Sequence, residues 1–491
     1  MCKVASKVAI LLVVMLLLAT CANPVEQINE VAREEISNQE ELYADIDRIA
    51  AIKDSYSSRL TKEELLYDFD YMMQLMEDTF PLFGVAERRL GIDIRELAQE
   101  TRAIIENYPY SMQDFAEELG IAFEDMPELN EHIFWGIIWG ELFSHIRLGH
   151  FTMLTTATYN RFRLDFRSPQ SLFEEGVNQP FTNLNTWRFF EEQVALSRVL
   201  FEENPALIQF VFRVDPSIES VPSQIQLPRV TTDIIEEGTI AYLNISSFLI
   251  RNAGAYDRGL WEFYRNIQDY EHLIIDIRNN AGGIPEFWRV AIIGVLCPDR
   301  DTTFNMPQYV LNAGNEFAYV LAEGHLEFIM RSGQYVLETE SLITIEEILE
   351  TSSLPYLNET DLQNLSYGVR INTNHQMRGG RIGLRNVPHI PFNGQIWLLI
   401  NENVGSGAAQ FASYAKAMEF ATLVGEPVVG SYSRWVPFAL PNTGIIVAWE
   451  TIYVTDQYGR SIEEFPTTPH YFNLPDIDAL ETVLYLIREL N

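Results

Sequence analysis

The chain has 491 residues, 47% hydrophobic and 12% aromatic, enough to bury a large core and to exclude a disordered or fibrous chain. Its 34 Lys and Arg stand against 69 Asp and Glu, and the net charge of −35 repels phosphate backbones, so no nucleic-acid partner is expected. Three cysteines exclude a disulfide scaffold, and at about 150 residues per domain the length suggests two to four domains.

Lys3 and Lys7 precede an apolar run over residues 8–18, followed by Ala19, Thr20 and Cys21. The run is shorter than the roughly 20 residues that span a bilayer, and its basic start and small-residue exit read as a secretory signal. Leu18-Ala19-Thr20-Cys21 resembles a bacterial lipobox, with Thr20 where Gly, Ala or Ser is usual. That resemblance implies a lipid on Cys21 and a body outside the cytoplasm, anchored to a bacterial membrane; an ordinary cleaved signal is the other reading. Residues 22–154 read as a glutamate-rich tether entering an N-terminal helical domain. Thr61-Lys62-Glu63-Glu64 has the form of a capping box, and Leu65, Phe69, Met72, Met73 and Met76 share one helical face suited to a core.

Residues 155–235 carry no usable motif and read as a connecting region. Residues 239–245 form a short β-type run, and 263–270 read as a helix end. Residues 273–277 and 396–400 are continuous apolar strands, of the kind buried on both faces of a parallel sheet. A helix is expected over 411–420. This alternation argues for an α/β layered core over 236–491, broken by an insertion at 301–393 long enough to cap a cleft.

Two strand-to-helix turns could hold chemistry. The first is Arg278-Asn279-Asn280-Ala281-Gly282-Gly283, whose paired glycines let backbone amides turn toward a ligand. The second is Asn403-Val404-Gly405-Ser406-Gly407-Ala408-Ala409, which places a serine hydroxyl at a helix N-terminus beside amide dipoles. A nucleophile needs that exposure and those donors. Taken alone, Ser406 reads first as a helix N-cap and the glycines as a tight turn.

The stretches 273–283 and 396–406, followed by Ala421-Thr-Leu-Val-Gly-Glu-Pro427, resemble the tail-specific (carboxyl-terminal processing) serine peptidases and their tricorn-core relatives. Residues 238–248, the closing helix over 476–490 and a patch near 140–154 agree. The resemblance implies a ClpP/crotonase-like α/β core behind an N-terminal helical domain, and it makes Ser406 the nucleophile. It implies oxyanion donors at Gly407 and at Gly282 or Gly283. The departures are specific. Ala409 stands where the family has Glu, Ser431 where tail-specific members have a base lysine, and no PDZ module is recognisable. Lys416, the only lysine after Lys62, lies ten residues along the helix from Ser406, or about 15 Å, out of reach of its proton.

The base then falls to histidine, as in the tricorn-like branch. His150, in Leu148-Gly149-His150-Phe151-Thr152, is the first choice and His145 the competitor. By register the supporting carboxylate is Glu463, with Glu464 as the alternative. His145 and His150 are badly spaced for a shared metal, the other histidines form no ligand cluster, and neither metal nor cofactor is expected. The leading expectation is a secreted, lipid-anchored serine peptidase acting on peptides through an acyl-enzyme. An inactive relative that binds peptides, and a solute-binding lipoprotein of a transporter, are the competing ones.

Overall fold

In the computed structural model, Thr61 caps the first helix reciprocally with Glu64. The Glu64 N–H donates to Thr61 Oγ1 at 3.2 Å, and the Thr61 N–H donates to Glu64 Oε2 at 2.8 Å. The structure describes residues 60–156, 158–159, 180–181, 183–203, 230–249, 253–297, 304–313, 315–332, 335–337, 341–375, 387–428, 430 and 435–490. The signal segment with Cys21, the tether to residue 59, most of 155–235 and Ser431 lie outside them. From the capped end, α1 (Lys62–Thr79) buries Leu65, Phe69, Met72 and Met76 and leaves Met73 partly exposed. It packs with α2 (Phe83–Leu90), α3 (Ile94–Glu106) and α4 (Glu131–Glu141) into one helical core. Asp93 and Asn130 cap α3 and α4 by accepting two backbone N–H groups each.

The short strand β1 (Thr152–Met153) follows α4, and β2 (Val230–Glu236) opens the central sheet. Next come β3 (Ile240–Ile245), α5 (Ala253–Asn266) and β4 (His272–Asp276). The segment expected as an insertion contains β5 (Phe304–Ala313), α6 (Glu316–Ser332), β6 (Tyr335–Leu337), β7 (Ile343–Thr344) and β8 (Leu365–His375). Then follow β9 (Gln395–Ile400), α7 (Ser406–Ala417) and β10 (Thr422–Gly425). The chain closes with β11 (Trp435–Ala439), β12 (Ile446–Glu450), β13 (Ile452–Asp456), β14 (Tyr471–Phe472) and α8 (Ala479–Leu490).

The central sheet has the order β14-β10-β9-β4-β3-β2, parallel throughout except for the antiparallel edge strand β2. Alternate residues face opposite sides, as the two-residue period of a strand requires. Leu273, Ile275, Leu398, Ile400 and Leu423 pack on Ala408, Phe411 and Ala412 of α7 and on Trp288. Ile274, Trp397, Leu399 and Val424 pack on Ala479, Val483 and Ile487 of α8. Burial on both faces explains why these strands are apolar at every position. A second, antiparallel sheet, β13-β5-β8-β6 with β7 on β8, draws β13 from beyond the insertion. A third, β1-β12-β11, packs into the helical core through Met153, Val447 and Trp449. The whole is a mixed α/β fold with a ClpP/crotonase-like core and a helical N-terminal region.

Candidate active site

Strands β4 and β9 are parallel neighbours, so the turns that follow them emerge side by side at the carboxyl end of the sheet, where α/β folds bind ligands. Asn280, fully buried, joins the turns: its carbonyl accepts the Gly405 N–H at 3.1 Å and its Nδ2 donates to the Ile245 carbonyl at 2.9 Å. Asn279 adds a second tie, since its Oδ1 accepts from Asn401 Nδ2 and Asn403 Nδ2, both at 2.9 Å. Its own N–H donates to Asn401 Oδ1 at 2.9 Å. The first turn thereby presses against Ser406. A Cβ on Gly282 would lie 2.6 Å from the Ser406 Cβ and 2.8 Å from the Gly407 nitrogen, so only glycine allows this approach.

Ser406 heads α7 with φ of +49°, a left-handed conformation that costs a non-glycine residue about 1–3 kcal/mol. The half-buried Ser406 thus sits at a strained strand–turn–helix junction, the setting of a nucleophile elbow. Among the described residues, the N–H groups of Gly283 and Gly407 have no acceptor, and the two glycines are in close contact, a Cβ on Gly407 lying 2.7 Å from the Gly283 carbonyl oxygen. Of the two expected alternatives, the Gly282 N–H donates to Asn280 Oδ1 at 2.9 Å. Gly283 and Gly407 are therefore the pair available to a developing oxyanion.

His150 lies in a second cluster. The β1–β12 ladder sets Thr152 against Ala448, and continued by two residues it sets His150 against Glu450. Glu450 Oε1 receives the backbone N–H and the Nδ1 of His150, each at 2.7 Å. Because an ionised carboxylate only accepts, Nδ1 carries the proton and Nε2 keeps the basic lone pair. Burial alone would lower the His150 pKa. The charge and hydrogen bond of Glu450, with the charge of Glu463, outweigh it and raise the pKa above its ordinary 6.5.

Glu463 is buried and its charge reaches the ring, but the hydrogen bond to Nδ1 belongs to Glu450. Pairing across 300 residues leaves no local trace; the one signal was a carboxylate closing the otherwise apolar Ile446–Glu450. Arg89 donates to the Glu463 carbonyl at 2.6 Å, while Glu464 is held by Arg88 Nε at 2.8 Å. His145 is exposed at the end of a 3-10 turn. Lys416 donates to the Thr468 carbonyl at 2.7 Å and Oγ1 at 2.9 Å, which anchors the far end of α7. The structure joins Ser406 to the glycine turns and His150 to the two carboxylates. No hydrogen bond links Ser406 Oγ to the imidazole among the described residues. Among those residues no group of three or more His, Cys, Asp or Glu is placed to hold a metal ion, and no helix is long and apolar enough to cross a membrane.

Solved structures similar to this chain include mature CPAF complexed with lactacystin, at 15% identity and TM-score 0.42, covering 87% of this chain and 97% of that one. A lipoprotein from Streptococcus agalactiae is similar at 12% identity and TM-score 0.37, covering 89% and 99%. The photosystem II D1 C-terminal processing protease is similar at 15% identity and TM-score 0.27, covering 52% and 51%. No curated protein matches the chain in sequence. Residues 239–472, which carry both glycine turns and Ser406, match the profile of peptidase family S41.

Proposed function

We propose that this chain is a serine-type endopeptidase that hydrolyses peptides or proteins through an acyl-enzyme on Ser406, with His150 as the base. The observation that carries the reading is Ser406 itself, held at φ of +49° with the Gly282-Gly283 turn pressed against it. Strain of this kind persists only where the surroundings enforce it, and here two turns do so. In the reaction, Ser406 Oγ attacks the peptide carbonyl and His150 Nε2 takes the hydroxyl proton. The carbonyl π pair moves onto oxygen, where the two amides receive it. As the C–N bond breaks, His150 returns the proton to the departing amine. Water then repeats the sequence on the ester and frees Ser406. The missing Ser406–His150 hydrogen bond fits a free enzyme, in which such contacts are often long and tighten when substrate fills the cleft.

Labelling with a fluorophosphonate and mapping the adduct by mass spectrometry tests this directly. Label on Ser406, lost together with peptide hydrolysis in Ser406→Ala, is expected; an inert Ser406 in folded protein overturns it. Ala409 in the family's Glu position favours an inactive, peptide-binding relative as the second reading, which that inert outcome plus retained peptide binding would select. The basic, apolar and Cys21-terminated N-terminus supports export and lipid anchoring to a bacterial membrane. Cys21→Ala should then block processing or move the protein to the soluble fraction, and unchanged membrane partition of an exported variant refutes anchoring.

A further inference from the structure

We propose that Glu450 is the positioning residue for the His150 imidazole and that Glu463 acts on the ring through charge alone. This rests on the reading of His150 as the base. Its support is geometric. One oxygen, Glu450 Oε1, takes both the backbone N–H and Nδ1 of His150 at 2.7 Å, which locks the ring relative to its own main chain. Two donors on one acceptor leave the imidazole a single orientation, with Nε2 directed away from the carboxylate. The ladder explains why the carboxylate cannot drift. Glu450 ends a strand paired with β1 on one side and β11 on the other, and its side chain is 1% exposed. Gly149, with φ of +56°, lies against the carboxylate, and a Cβ there would collide with it. Glycine therefore makes room for Glu450 beside the histidine.

Glu463 is held differently. Its carbonyl is gripped by Arg89 and its N–H donates to Ser461 Oγ at 3.2 Å, so its placement follows the loop after β13 and not the ring. The charged groups facing the imidazole are Glu450 from β12 and Glu463 from that loop, and both raise its pKa against the effect of burial. Neither the turn sequence nor the match to the family over 239–472 marks Glu450 for this part, because His150 lies outside the matched stretch.

The test is a nitrogen-15 histidine titration of the full chain, with the His150 signals assigned by loss in His150→Gln, read beside kcat/KM against pH. In wild type the neutral ring should carry its proton on Nδ1 and titrate above 6.5. Glu450→Gln keeps an acceptor oxygen but removes the charge, and should lower the midpoint by about one unit or more. The acid limb of kcat/KM should move with it. Glu450→Asp, with the charge retained, should restore part of the shift. Gly149→Ala leaves both carboxylates in the chain but pushes Glu450 away, and should reproduce the fall; it serves if Glu450→Gln does not fold. Glu463→Gln should lower the midpoint less and leave the tautomer unchanged. A proton on Nε2 in wild type, or a larger effect from Glu463→Gln than from Glu450→Gln, overturns the assignment. The titration needs no turnover, so an inactive protein would sink the peptidase reading while this result still stands or falls by itself.

Discussion

At the scale of single residues, the charges that raise the pKa of His150, the proposed base, set activity and local stability against each other. A pKa raised in the folded state means that the protonated ring is stabilised by its carboxylates. That stabilisation is fully present below the unfolded value near 6.5 and is lost as pH rises through the higher folded value. The base, however, works only when neutral. Hydrolysis should therefore climb over the same interval in which the His150–Glu450 pair stops contributing to folding. Rate profiles and thermal melts of wild type against His150→Gln across pH 6–9 check this. A rate that falls as the pair weakens would refute His150 as the base. The Lys416 ammonium donates to the Thr468 carbonyl and Oγ1.

Among elements, the distance between nucleophile and oxyanion donors depends on how two turns from adjacent strands are tied. Asn279 does much of this, accepting from Asn401 and Asn403 while sitting at φ of +62°, a conformation Asn tolerates better than most residues. Asn279→Gly keeps that backbone conformation and removes both ties, so it isolates their effect. It should reduce kcat by on the order of 10–100-fold, the scale expected when a reacting group shifts by about 1 Å, with peptide binding less affected. Single-turnover kinetics give the number, and a wild-type kcat would show that the buried Asn280 bonds suffice. The turn between β11 and β12 shows the same principle in a structural setting. Asp68 of α1 accepts from Thr443 N at 2.7 Å, Thr443 Oγ1 at 2.8 Å and Asn442 N at 3.0 Å, fastening the helical region to the hairpin that carries Glu450.

For the whole molecule, one arginine ties its own helix to two distant stretches of chain. Arg88 of α2 reaches Asp361 at 2.5 Å and Glu464 at 2.8 Å, and Asp361, 1% exposed, also accepts from Tyr453 at 2.8 Å. Arg88→Ala would leave the buried Asp361 charge with Tyr453 as its remaining polar contact among these groups. It should lower stability by about 3 kcal/mol, the low end for breaking a buried pair, as measured by urea unfolding. A loss below about 0.5 kcal/mol would mean that the pair contributes no more than an exposed one. The sequence by itself determined the parts governed by neighbours along the chain. The Thr61–Glu64 cap, the apolar strands of the central sheet and the small-residue turn at Ser406 are local patterns of spacing and side-chain type. The partner of His150 and the sheet that recruits β13 were decided only in the tertiary structure. Each depends on which groups meet once ladders form and side chains pack, and a residue's own neighbours do not specify what lies opposite it 300 positions away.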